Sequence, residues 1–212
     1  MPLAADAKVP AQQLQAFAGR IGKLKAWLQI EVPGGEEGFP YRLALRRADD
    51  GGIKTTGKVL QGESYGLVLQ ADPAELGSVA RRFVYVYAID SFGNSTLLYP
   101  RRGMGGENAL PADMSAGAPP IIPLGPTKLF RVSPPYGLDT YVMLASQEVI
   151  PNPEALAFEG VRKRGPETGT RGAANGLLGM LLDVGAGTRG AKPYDAPASW
   201  SVQRVTVQSA EQ

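Results

Sequence analysis

Apolar and polar positions alternate with a period of two along much of this chain, the signature of strands buried on one face. Tyr41, Leu43 and Leu45 alternate with Arg42 and Arg46. Lys58–Ala71, Arg82–Asp90 and Ser95–Tyr99 read as further strands. Asp49-Asp50-Gly51-Gly52 and Gly93-Asn94 are turn signals between such runs. Lys128–Val132 and Tyr141–Ala145 flank a Ser133-Pro134-Pro135-Tyr136-Gly137 turn. Trp200–Val207 reads as the last strand, and Val202 and Val205 break its alternation, which predicts a bulge.

Before residue 41 the period differs. Residues 1–9 read as a loose lead-in. Pro10 is suited to a first helical position, and Leu14, Phe17, Ile21 and Leu24 recur at helical spacing. From Ala26 the period becomes two, with Leu28, Ile30 and Val32 opposite Trp27, Gln29 and Glu31. Two stretches lack a pattern. Residues 100–126 read as a long surface loop rich in Pro, Ala and Gly. Residues 151–197 are irregular, with a short helix expected around Leu177, Leu178, Leu181 and Leu182.

About eight sequential strands without a βαβ rhythm predict a mainly β fold. The expected form is an antiparallel, Ig-like β-sandwich with an N-terminal helix and two long loop inserts. Residues 1–25 form the lead-in and helix, and residues 26–212 form one sandwich domain.

Composition narrows the chemistry. The 212 residues include no Cys and no His. Disulfides, thiolate nucleophiles and His-dependent triads are excluded, and a zinc site is not expected. With 22 basic and 20 acidic residues the net charge is +2, which argues against nucleic acid as a partner. Leu177–Leu182 is the most apolar stretch, far short of the roughly 20 residues a membrane span needs. MPLAADAKVPAQQ does not read as a secretory signal, so the chain is expected to be cytoplasmic, or exported if cut from a longer precursor.

Several motifs invite functional readings. Gly62-Glu63-Ser64-Tyr65-Gly66 fits the nucleophile-elbow pattern, but a strand pattern follows it and no histidine base exists. The start of a strand is the preferred reading. Arg101-Arg102 beside glycines suits an anion. Thr170-Arg171-Gly172 and Thr188-Arg189-Gly190 repeat one word, whose arginines suit loop pinning or ligand binding. Phe83, Tyr85 and Tyr87 share a face, for sheet packing or as a stacking platform. Glu36-Glu37 and Asp49-Asp50 read as turn residues.

A kernel of residues carries a resemblance. It runs from Gly62-Glu63 through the strand Phe83–Asp90, the Ser91-Phe92-Gly93-Asn94 turn and Leu98-Tyr99-Pro100. It continues through Asn108 and Ile121-Ile122-Pro123 to Phe130–Gly137. Residues 57–150 thereby resemble the domain of unknown function 4384 family, leaving 151–212 as a C-terminal elaboration. The resemblance implies a domain appended to bacterial caspase-like peptidases, without catalytic residues of its own. The expected function is then a non-catalytic accessory or interaction module, without cofactor, binding a protein partner or a peptidase domain of the same parent chain. Exposed sheet edges and long loops would supply its recognition surface. The alternative is a carbohydrate or cell-envelope ligand module. Arg101, Arg102, Asn108, Tyr85, Tyr87, Arg171 and Arg189 are the candidate binding residues.

Overall fold

The computed structural model describes residues 21, 22, 24, 25, 27, 39–101, 108–157 and 200–211. The strands are β1 (Arg42–Arg47), β2 (Ile53–Lys54), β3 (Thr56–Leu60), β4 (Ser64–Gln70), β5 (Arg82–Ile89) and β6 (Ser95–Tyr99). They continue with β7 (Ala109–Leu110), β8 (Ile121–Pro123), β9 (Phe130–Arg131), β10 (Leu138–Ser146) and β11 (Trp200–Ala210). They form two sheets in a sandwich-like, mainly β fold.

The five-stranded sheet runs β2-β1-β4-β8, with β9 also on β4, and every pairing in it is antiparallel. The six-stranded sheet runs β3-β11-β10-β5-β6, with β7 on β5. Here β3 lies parallel to β11, from Thr56 opposite Thr206 to Leu60 opposite Ala210. The wholly antiparallel expectation is therefore corrected to one antiparallel and one mixed sheet.

Alternation sets the layers. Leu43 and Leu45 of β1 and Tyr65, Leu67 and Leu69 of β4 face Val84 and Val86 of β5, Tyr141 and Met143 of β10, and Val205 and Val207 of β11. That is the core between the sheets. The other face of the six-stranded sheet is also apolar, with Tyr85, Tyr87, Ile89, Val142, Leu144 and Trp200. Strand β10 is thus apolar on both sides, which explains its unbroken run of buried residues. Trp27, Ile150 and Leu156 cover this second face. Leu156 belongs to a 3-10 turn, Pro153–Leu156.

Ile21, Gly22, Leu24, Lys25 and Trp27 are helical, and the remainder of the expected helix lies outside the described residues. Trp27 corrects the strand pattern expected from Ala26. Spaced three residues from Leu24, it reaches the same apolar surface from a helix. Its ring lies 4.8 Å from that of Tyr87. The expected strand at 28–32 lies outside the described residues.

Two further expectations change. Residues 100–126 are not simply a loop, because they hold β7 and β8, and Leu110, Ile122 and Leu124 are buried. The Tyr41 hydroxyl donates to Pro119 O at 2.6 Å, and the Ala71 N–H to Pro120 O at 2.9 Å. The predicted bulge in β11 is absent, since its register with β10 runs unbroken from Gln208 to Trp200. Alternation fails there because a polar residue, Gln203, occupies an inward position. The short helix expected around 177–182 lies outside the described residues.

Candidate functional site

The densest polar cluster sits where β1 ends and β4 begins. Register places Arg47 opposite Tyr65, so Glu63, just before β4, comes within reach of the guanidinium. The turn after β1 folds Asp50 back onto the same group. Arg47 Nη1 donates to Glu63 Oε1 at 2.9 Å, and Nε to Asp50 Oδ1 at 2.8 Å. Its Nη2 also donates to Asp50 Oδ2.

Glu63 is the hub. Its Oε2 accepts the Leu60 N–H and the Tyr65 hydroxyl, each at 2.7 Å. Its side chain is only 14% exposed. Burial alone would raise its pKa, but the bonds from Leu60, Tyr65 and Arg47 outweigh that and hold it below the usual range. Tyr65 moves the opposite way, raised by burial and by its bond to the Glu63 carboxylate. Arg47 draws Asp50 well below the ordinary carboxylate value, helped by the Gly52 N–H.

In the sequence Gly62-Glu63 and Asp49-Asp50 stand as separate turns, and no local pattern marks Arg47. The signal was a strand register joining residues 16 apart, which local spacing does not carry.

The same cluster closes a sheet edge. The Gln61 N–H donates to Ala210 O on the β11 side, so Leu60 and Lys58 turn their backbone groups outward. Glu63 takes the Leu60 N–H, and the Lys54 ammonium donates to Lys58 O at 2.7 Å. A second edge is closed from across the core. Where β2 has ended, the Gln203 amide takes a ladder position beside β1. It accepts from the Leu43 N–H at 3.0 Å and donates to Tyr41 O at 2.8 Å. The expectation that open edges supply the recognition surface is corrected at both places, because side chains occupy the backbone groups.

A third cluster lies at the β5–β6 turn. Asp90 Oδ1 accepts from the Phe92 N–H at 2.8 Å and the Asn94 N–H at 2.9 Å. Asp139 is half-buried near it. Burial first, then the charge of Asp90, raises its pKa. Among the described residues, no group of three carboxylates is placed to hold a metal ion. Nor is any described helix long and apolar enough to cross a membrane.

Of the expected binding residues, Tyr85, Tyr87, Arg101 and Asn108 are among the described residues. Tyr85 and Tyr87 are 2% and 0% exposed, so the packing role holds and the stacking platform is corrected. Their hydroxyls are used internally: Tyr85 accepts the Ile150 N–H, and Tyr87 donates to Pro153 O, each at 2.8 Å. Asn108 extends the edge of β5, its carbonyl accepting the Val84 N–H and its Nδ2 donating to Val84 O. Arg101 is exposed beyond β6. Arg102, Arg171, Arg189 and the Glu36-Glu37 pair lie outside the described residues.

Ser64 opens β4 opposite Arg131, and the strand continues past it. No strand-to-helix elbow forms. Gly66 is needed for a different reason: a Cβ there would lie 2.8 Å from Thr127 O and 2.9 Å from Pro126 O. Compared with protein-family models, curated proteins and solved structures, the chain matches none.

Proposed function

We propose that this chain is a non-catalytic accessory domain that binds a protein partner. The observation that carries the reading is how its clustered carboxylates are used. A general acid or base needs a proton or lone pair directed at substrate. Glu63 commits both oxygens to Arg47, Leu60 and Tyr65. Asp50 commits both to Arg47 and Gly52, and Asp90 commits both to its own turn. These side chains build the scaffold. The resemblance to the domain of unknown function 4384 family gives the reading its specific form, a caspase-like peptidase domain of the same parent chain as partner. The Ig-like form of the sandwich belongs to the same proposal.

The test is chemical crosslinking in the native source, followed by mass spectrometry of whatever joins this chain. A partner crosslinked in fixed ratio, or a parent polypeptide well above 22.4 kDa with a peptidase domain, is the expected result. A species of 22.4 kDa that crosslinks to nothing overturns the proposal.

A further inference from the structure

Where β5 ends and β10 begins, two carboxylates stand side by side. The β5–β10 register runs to Ile89 opposite Thr140, so the next residues, Asp90 and Asp139, face each other across the strands. Both continue the inward positions, after Val84 and Val86 on β5 and before Tyr141 and Met143 on β10. Like charges directly opposite push paired strands apart. Asp90 is committed to its own turn, accepting from the Phe92 N–H, the Asn94 N–H and Asn94 Nδ2. Asp139 is half-buried and accepts from the Ser209 hydroxyl and the Ser91 N–H. Among the described residues, neither carboxylate pairs with a Lys or Arg. Val207, the other cross-strand neighbour of Asp139, is uncharged. Glu211, past Ser209, lies against Tyr136, and Tyr141 lies two residues along β10. Burial raises both tyrosines, so they stay neutral through the carboxylate range.

The two residues that bond Asp139 also seat the turn before β10. The Gly137 N–H donates to Ser209 Oγ at 2.9 Å, and the Ser209 N–H to Gly137 O at 2.8 Å. A Cβ on Gly137 would collide with the Ser91 side chain. The Ser209 hydroxyl also lies 3.1 Å from Gly137 O, so its one proton serves either that carbonyl or Asp139. We infer that Asp139 is a proton-operated clasp, fastening the 133–137 turn and the β5–β6 turn to the end of β11. When Asp139 takes a proton from solvent, its O–H donates to Asp90, and a repulsion becomes a hydrogen bond. Its other oxygen keeps the Ser91 N–H, and the Ser209 hydroxyl turns to Gly137 O. When the proton returns to solvent, the two charges oppose each other, Ser209 is drawn back to Asp139, and this end loosens. Linkage sets the sign. Burial first, then the charge of Asp90, makes the closed end bind the proton more tightly than an open one. Closure is therefore favoured as pH falls through the folded value. The response runs against that of Glu63, whose contribution is lost in acid.

The test is NMR on the whole labelled chain, titrated from about pH 7 to about pH 4. Two signals are followed: the Asp139 carboxyl carbon, and amide exchange at Gly137 and Ser209, corrected for intrinsic rates. The Met143 amide, in the middle of β10, is the reference for global unfolding. Protection of Gly137 and Ser209 relative to Met143 is expected to rise at least about threefold as pH falls. Its midpoint is expected to coincide with that of the Asp139 carboxyl. Asp139→Asn, whose amide mimics the protonated acid, holds the high protection at every pH. Asp90→Asn lowers the Asp139 midpoint. Relative protection that does not change with pH overturns the inference. So does an Asp139 midpoint at or below the ordinary 3.8, or a pH response that survives in Asp139→Asn. If Asp139→Asn does not fold, the two wild-type midpoints decide: coincidence supports the clasp, and separation overturns it.

Discussion

Arg46 and Arg47 are neighbours in the chain and opposites in surroundings. Arg47 turns to the inner side of β1, where two carboxylates hold it. Arg46 turns outward, over the Gly51 turn, with no carboxylate partner among the described residues. One residue of strand parity separates a charge used for construction from one that stays exposed. The contrast also explains why a net charge of +2 is uninformative here. Among the described residues, Asp50, Glu63 and Asp90 sit at the ends of strands, whereas Arg42 and Arg46 lie within β1.

The comparison predicts a ranking of substitutions. Glu63→Ala has the largest effect. It strips acceptors from the Leu60 N–H, the Tyr65 hydroxyl and Arg47, and costs about 3 kcal/mol. For a domain of this size that lowers the melting temperature by roughly 10 °C. Glu63→Gln keeps two acceptor sites on its carbonyl oxygen and costs less. Next comes Gln203→Leu, which leaves the Leu43 N–H and Tyr41 O unpaired and costs about 2 kcal/mol by denaturant titration.

Acid sharpens the contrast between carboxylates. Glu63 is held below its ordinary value, so its contribution is complete above the unfolded pKa near 4.5 and is lost as pH falls through the folded value. Melting temperature therefore drops in acid, and Glu63→Gln flattens that drop. Asp139 has the opposite sign. Burial and Asp90 raise its pKa, so its charge opposes folding at neutral pH. Asp139→Asn raises the melting temperature by a few degrees at pH 7, and the gain fades as pH falls into the carboxylate range. The smallest effect belongs to Arg46→Ala, within about 0.5 kcal/mol of wild type. The comparison breaks if Arg46→Ala lowers the melting temperature as much as Arg47→Ala.

Legibility in the sequence followed the range of the interactions. β1, β4, β5, β6 and β10 announced themselves because alternation, apolar runs and turn residues are local signals. β7 and β8 did not, since two or three residues flanked by prolines cannot display a period. Gln203 looked like a fault in β11 because an inward polar residue makes sense only beside the unpaired β1 backbone. The shared face of Tyr85 and Tyr87 was readable, but their burial depends on Trp27 and the 150–156 segment, far away in the chain. The Glu63 hub was legible in parts, and only register assembled it.

The position of β11 has a temporal consequence. It follows the other ten described strands in the chain, yet lies inside its sheet, between β3 and β10. During synthesis from the N-terminus, β5, β6 and β10 can pair early through short-range hairpins and sheet neighbours. β3 must wait, because its ladder is parallel to β11 and some 150 residues distant. Until β11 leaves the ribosome, the nascent sheet ends at an exposed β10 margin, with the Leu43 N–H and Tyr41 O lacking the Gln203 amide. That interval is when this protein would most need a chaperone.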